Sequence, residues 1–208
     1  MKLRTILLAS VASLVTGVLV SQAQVPGVNS TLNSVFTLAY DNSTMKQTYS
    51  ANGSVTIANA GSATTDVCAI YGSATKNIRV RRIIVSGTMT AIETLPVSIV
   101  KRSTASLGNG AQPAEIPYDA SNAANTGYVE TWAANPGTLG TLIGTLADIF
   151  VTFPGTTTSV GNGATTFTFG QLGQPLVLRT AAQNVAVNFG NNVINTGLVN
   201  CTVEWTEE

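Results

Sequence analysis

Histidine, the side chain on which most nucleophilic and zinc chemistry depends, does not occur anywhere in this 208-residue chain. Its absence removes Ser-His-Asp and Cys-His nucleophile systems and nearly all catalytic zinc sites, each of which uses imidazole as base or ligand. Glycoside hydrolysis needs only two carboxylates, and the nearest candidate pair is Glu115 and Asp119, flanking Ile116-Pro117-Tyr118. Charges on a surface loop are the plainer reading of that pair. No Asp-x-Asp-x-Asp-Gly run offers a calcium loop. Gly108-Asn109-Gly110 and Gly161-Asn162-Gly163 lack the following helix and lysine that let glycine loops hold phosphate. The expectation is a protein without catalytic residues, metal or cofactor.

Two other groups of residues could act through contact. Lys76, Arg79, Arg81, Arg82, Lys101 and Arg102 fall within two neighbouring segments. Arg79 and Arg81 alternate with Ile78 and Val80, so on a strand they share the outward face. Such a stripe could grip an anionic polysaccharide, a lipid phosphate or the carboxylates of a neighbouring subunit; a solvated face that discourages edge pairing is the simpler alternative. Tyr118, Tyr128 and Trp132 could serve as stacking platforms for a glycan, or be ordinary cross-strand packing. Ten basic residues balance ten acidic ones, so no global field favours nucleic acid.

Met1 to Ala23 differs from the rest. Lys2 and Arg4 precede an apolar run from Ile6 to Val20, and Ser21-Gln22-Ala23 makes a small-x-small cleavage site, the pattern of a secretory signal peptide. The run is short for a membrane span, so contact with a membrane is expected only if the segment stays uncleaved. Export would put the protein in the periplasm, outside the cell or on its surface. There Cys68 and Cys201 could form a disulfide, and two buried free thiols are the alternative. The sequons at Asn29, Asn42, Asn52 and Asn200 are no more than a chain rich in Asn, Ser and Thr produces by chance.

The elements that must position these residues read as strands. Val199, Cys201, Val203 and Trp205 alternate with Asn200, Thr202, Glu204 and Thr206, a period of two. Similar apolar runs occur at Val67 to Tyr71, Ile78 to Val85, Leu95 to Val100, Tyr128 to Trp132, Ile149 to Phe153, Thr165 to Phe169, Leu176 to Leu178 and Val185 to Phe189. Between Val80 and Ile83 the inward phase slips by one residue, which requires a β-bulge at Arg81-Arg82. Asn52-Gly53, Asn109-Gly110 and Asn162-Gly163 predict hairpins or loop tips, and the Gly-Thr-Leu repeats from Gly137 to Leu146 predict a glycine-kinked strand. The pattern predicts an all-β protein: residues 66–208 form an antiparallel β-sandwich, jelly-roll-like or Ig-like, of about nine short strands. Residues 24–65 are expected to form an extended N-terminal arm with one or two short strands.

Several segments carry a resemblance. Gly72 to Lys76, IRVRRIIVSGT from Ile78, VKRSTA from Val100, IPYDASNAA from Ile116, ANPGTLGTLIGTLA from Ala134, QPLVLRTAAQNVAVNF from Gln174 and the terminal VEWTEE resemble a family of tailed-phage and prophage virion-associated proteins. The resemblance covers roughly Asp66 to Glu208 and supplies no catalytic residues. It implies a β-rich accessory structural protein, a decoration or host-contact module. Combined with the leader, it leads to an expected non-enzymatic, exported or virion-associated protein, acting as a homo-oligomer on protein subunits or a cell-surface glycan. A secreted glycan-binding or glycan-cleaving domain is the alternative.

Overall fold

Alternating apolar side chains set where the strands fall, and the computed structural model describes residues 46–57, 64–108, 110–157, 163–171, 174–192 and 194–208. The leader and residues 24–45 of the expected arm lie outside the described residues. Among those described there is no helix, and the strands are β1 (Gln47–Ile57), β2 (Thr64–Tyr71), β3 (Ile78–Met89), β4 (Glu93–Arg102), β5 (Glu115–Pro117), β6 (Tyr128–Thr131), β7 (Leu142–Phe153), β8 (Ala164–Thr168), β9 (Leu176–Leu178), β10 (Asn184–Asn192) and β11 (Gly197–Glu207).

They form two antiparallel sheets. One has the order β5-β1-β11-β3-β8, with β9 also pairing β3; the other has the order β6-β2-β10-β4-β7. The pairing joins β1 with β11, β2 with β10, β3 with β8 and β4 with β7, so the chain behaves as one long hairpin whose paired strands pass alternately to one sheet and the other. That wiring is a jelly roll rather than an Ig-like sandwich.

The inward faces make the main core. Tyr49, Val80, Ile83, Val85, Val97, Ile99, Val187, Val199, Val203 and Trp205 are all buried in it. Tyr49 and Trp205, directly opposite on β1 and β11, stack with ring centroids 5.7 Å apart. The predicted slip on β3 is present: Glu204 pairs Arg82 and Trp205 pairs Val80, which leaves Arg81 as the extra residue of a bulge. Cys68 on β2 and Cys201 on β11 are joined by a disulfide that ties the two sheets together through the core.

β1 corrects two expectations. It is an eleven-residue inner strand, paired on both sides, so the sandwich begins at Gln47, inside the range expected for the arm. Asn52-Gly53 is therefore the middle of a strand and not a turn. The glycine is there for space: Gly53 pairs Cys201, Thr131 pairs Cys68, and the two cysteine Cα atoms are only 6.6 Å apart. At this pinch between sheets that usually pack about 10 Å apart, a Cβ on Gly53 would come within 2.4 Å of the Thr131 methyl.

Residues 103–141, between β4 and β7, extend one margin of both sheets through β5 and β6. They also cover part of the outer face of the second sheet, where Tyr71, Trp132, Val100 and Ala186 form a smaller apolar cluster. The Tyr71 hydroxyl donates to the Ser106 carbonyl, and the Asn184 amide to the Thr104 carbonyl. The glycine-kinked strand expected from Gly137 begins only at Leu142.

Candidate functional site

The six cations read as one surface patch are divided by the fold into four settings. Arg102 is 5% exposed and belongs to the covered face of the second sheet. Its Nε and Nη2 donate to the Asp66 carboxylate at 3.0 and 2.9 Å and its Nη1 to the Gly140 carbonyl at 2.8 Å. Asn188 and Ser106 donate to the same carboxylate. This corrects the surface assignment of Arg102: a buried guanidinium needs a buried carboxylate, and the strand pattern gives no sign of a partner 36 residues away.

Lys76 is drawn into the chain terminus, donating to Gln47 Oε1 at 2.9 Å and to Glu207 Oε2 at 3.2 Å. Glu207 is buried and also accepts the backbone N–H groups of Thr126 and Gly127 and the Trp205 indole N–H. Burial alone would raise its pKa, but these donors outweigh it and hold the carboxyl below its ordinary value. Lys101 lies with Leu146, Leu176 and Arg179 in a depression of about 520 Å³ that adjoins the cleft of Arg79, Arg81 and Arg82 through Thr168, Phe169, Gly170 and Pro175, and its Nζ donates to the Val177 carbonyl.

Arg79, Arg81 and Arg82 remain together, on the outer face of the first sheet, in a cleft of about 480 Å³. The β3 bulge is the reason: it turns two successive arginines outward where an unbroken strand would bury one of them. Arg79 pairs with Glu208 at 2.7 Å and Arg82 with Glu204. Arg81 is exposed and makes no ion pair among the described residues. The rest of the lining includes Glu204 and Thr206 from β11, Thr168 from β8, and Gln171 and Pro175 from the link between β8 and β9. Glu204 is held below the ordinary glutamate value: its burial raises the pKa, but hydrogen bonds from Arg82 and Tyr118 and the charges of Arg82 and Arg81 outweigh that.

Of the three aromatic candidates, only Tyr118 is placed to meet a ligand. It is 61% exposed and its ring lines the arginine cleft; partial burial and the Glu204 carboxylate raise its hydroxyl pKa. Trp132 is 2% exposed and packs edge-on against Tyr71, while Tyr128 stacks on the same Tyr71 ring at 4.6 Å. Burial corrects the reading of Trp132 as a platform, whereas Tyr128 is half-buried at the margin of the same cluster. Glu115 lies on β5, and Asp119 accepts both the N–H and the hydroxyl of Ser121. Those bonds lower the Asp119 pKa, the reverse of what a general acid requires. Among the described residues no cluster of three or more His, Cys, Asp or Glu could hold a metal.

The charge-based reading missed a second surface. β7 ends the second sheet and pairs on one side only, with β4. Leu142, Ile143, Leu146, Ile149 and Phe150 are exposed along it, Phe150 to 77%, and they are five of the eleven large exposed hydrophobic residues of the described chain. Its register with β4 skips Leu146 and Ile143, leaving Ala147 to Phe153 regular. A signal was present in the sequence: Ile149-Phe150-Val151 is apolar at consecutive positions, so one of its two faces must look outward. No protein-family model, curated protein or solved structure matches the chain.

Proposed function

We propose that this protein is a non-catalytic structural subunit that works by surface contact, and that copies of it pair through the open edge of β7. The single observation that carries this reading is the concentration of exposed apolar side chains on that one strand. Soluble β-proteins blunt their open edges with short strands, charge or proline. The other sheet margins conform, since β5, β6, β8 and β9 have three, four, five and three residues. β7 has twelve, with Asp148 as its sole charge, and that carboxylate already accepts the Ser98 hydroxyl.

A second copy is the occupant that best suits this edge. Two antiparallel β7 strands related by a twofold axis would complete each other's backbone hydrogen bonds, with Asp148, already bonded to Ser98, as the one charge brought to the seam. The five apolar side chains offer on the order of 500 Å² per copy, so a pair that covered all of them would remove about 1,000 Å² from water, the lower limit for a specific interface. Such a subunit suits both settings suggested by the sequence, a phage-type particle and the exterior of a cell.

Light scattering on the purified protein across a concentration series tests the proposal. The wild type should be dimeric or larger at micromolar concentrations, and Phe150→Lys should be monomeric with an unchanged far-UV circular dichroism spectrum. A wild type that stays monomeric up to roughly 100 µM, where even about 5 kcal/mol of association would register, overturns it. So does a Phe150→Lys variant of unchanged mass.

A further inference from the structure

We propose that the cleft at the β3 bulge binds a sugar bearing a carboxylate, with Arg81 as the residue that holds the acid group. This cleft lies on the outer face of the first sheet, whereas β7 belongs to the second, so the site does not depend on pairing between copies.

The charge balance selects the ligand class. Arg79 and Arg82 are already neutralised by Glu208 and Glu204, which leaves Arg81 as the one cation of the cleft lining without an ion pair among the described residues; Lys101 and Arg179 stand in the adjoining depression. One guanidinium matches one carboxylate in the bidentate geometry that arginine favours. A phosphate monoester brings nearly two charges and would meet Glu204 a short distance away, so the site should not prefer it. The cleft lining also holds the neutral hydrogen-bonding side chains Thr168 and Gln171, both exposed, together with Glu204 as an acceptor, a set suited to ring hydroxyls. The exposed ring of Tyr118 supplies an apolar face of the kind on which the C–H side of a pyranose packs. The volume of about 480 Å³ suits one or two sugar rings.

The bulge also explains why the cation is free. Arg81 is the extra residue in the register, with no partner residue opposite it on β11. Its neighbours Val80 and Arg82 are both paired, so the bulge adds a cation to the outer face without removing a core side chain.

Titration of the purified protein with glucuronate, glucose and inorganic phosphate, followed by calorimetry and by chemical shifts of the cleft amides, tests the site. Glucuronate should bind more tightly than either of the others and shift resonances at Arg81, Thr168 and Gln171. Arg81→Gln should weaken glucuronate about tenfold or more, as expected for loss of a charged hydrogen-bonding partner, and bring its affinity near that of glucose. Tyr118→Ala should weaken both sugars together. Both substitutions are at exposed positions, and unchanged melting temperatures would establish that the variants are folded. The proposal is overturned if glucuronate does not bind, if phosphate binds more tightly, or if Arg81→Gln leaves glucuronate affinity unchanged.

Discussion

Breaking the Cys68–Cys201 bridge perturbs the fold where the two sheets approach to 6.6 Å between Cα atoms. The bonded residues are 133 apart in sequence, so the disulfide closes most of the described chain into one loop. On the chain-entropy account a loop of that length restricts the unfolded chain by about 5 kcal/mol at 25 °C. Both sulfur atoms sit in the core, and the native contacts around them change little on reduction, so most of that amount should appear as lost stability. Guanidinium unfolding followed by fluorescence of Trp205 and Trp132 reads it. With a slope of about 4 kcal/mol per molar denaturant, reduction should lower the midpoint by about 1 M. Cys68→Ala with Cys201→Ala should reproduce the shift and make the protein insensitive to reductant. A midpoint that moves by less than roughly 0.2 M, under about 1 kcal/mol on the same slope, refutes the reasoning. A native mass carrying two extra hydrogens refutes the bridge itself.

Other perturbations have definite signs. Asp66→Ala leaves the Arg102 guanidinium buried without its carboxylate and should cost about 3–5 kcal/mol in a thermal or denaturant melt. The Glu207 carboxyl has a depressed pKa in the folded protein, so its contribution is complete above the unfolded glutamate value of about 4.3 and is lost as pH falls through the lower folded value. Glu207→Gln should flatten that acid limb of a stability–pH curve, and an unchanged limb would contradict the assignment. Gly53→Val forces a side chain against Thr131 beside the disulfide and should destabilise by about 1–3 kcal/mol. Gly144→Ala, with nothing within 4 Å of the added Cβ, should be nearly silent by comparison.

What the sequence made legible was whatever period two could carry. The alternation at Val199 to Trp205, the phase slip at Arg81-Arg82 and the eight other apolar runs all correspond to strands or to the bulge within β3. β1 was hidden because it is mostly small and polar: Ser50, Asn52, Ser54 and Thr56 face outward on it, and Asn52-Gly53 imitates a turn where the glycine answers a steric demand from Thr131. The choice of jelly roll over Ig-like wiring depends on which distant strands pair, and local pattern carries no such information. The candidate site divided along the same line. Alternation sends Arg79 and Arg81 outward, but it cannot foresee that residues 103–141 would bury Arg102 and Trp132 and bring Tyr118 to the bulge. Burial of an outer sheet face by a long insertion is decided by tertiary contacts such as Tyr71 to Ser106 and Arg102 to Gly140.

Amide hydrogen exchange along β7 at low and high protein concentration tests the central claim most directly. If copies pair through this edge, the outward amides between Ala147 and Phe153 should exchange quickly in dilute solution and slow down together as concentration rises, while those of β6 stay unchanged. Exchange on β7 that is equally fast at every concentration would contradict the account.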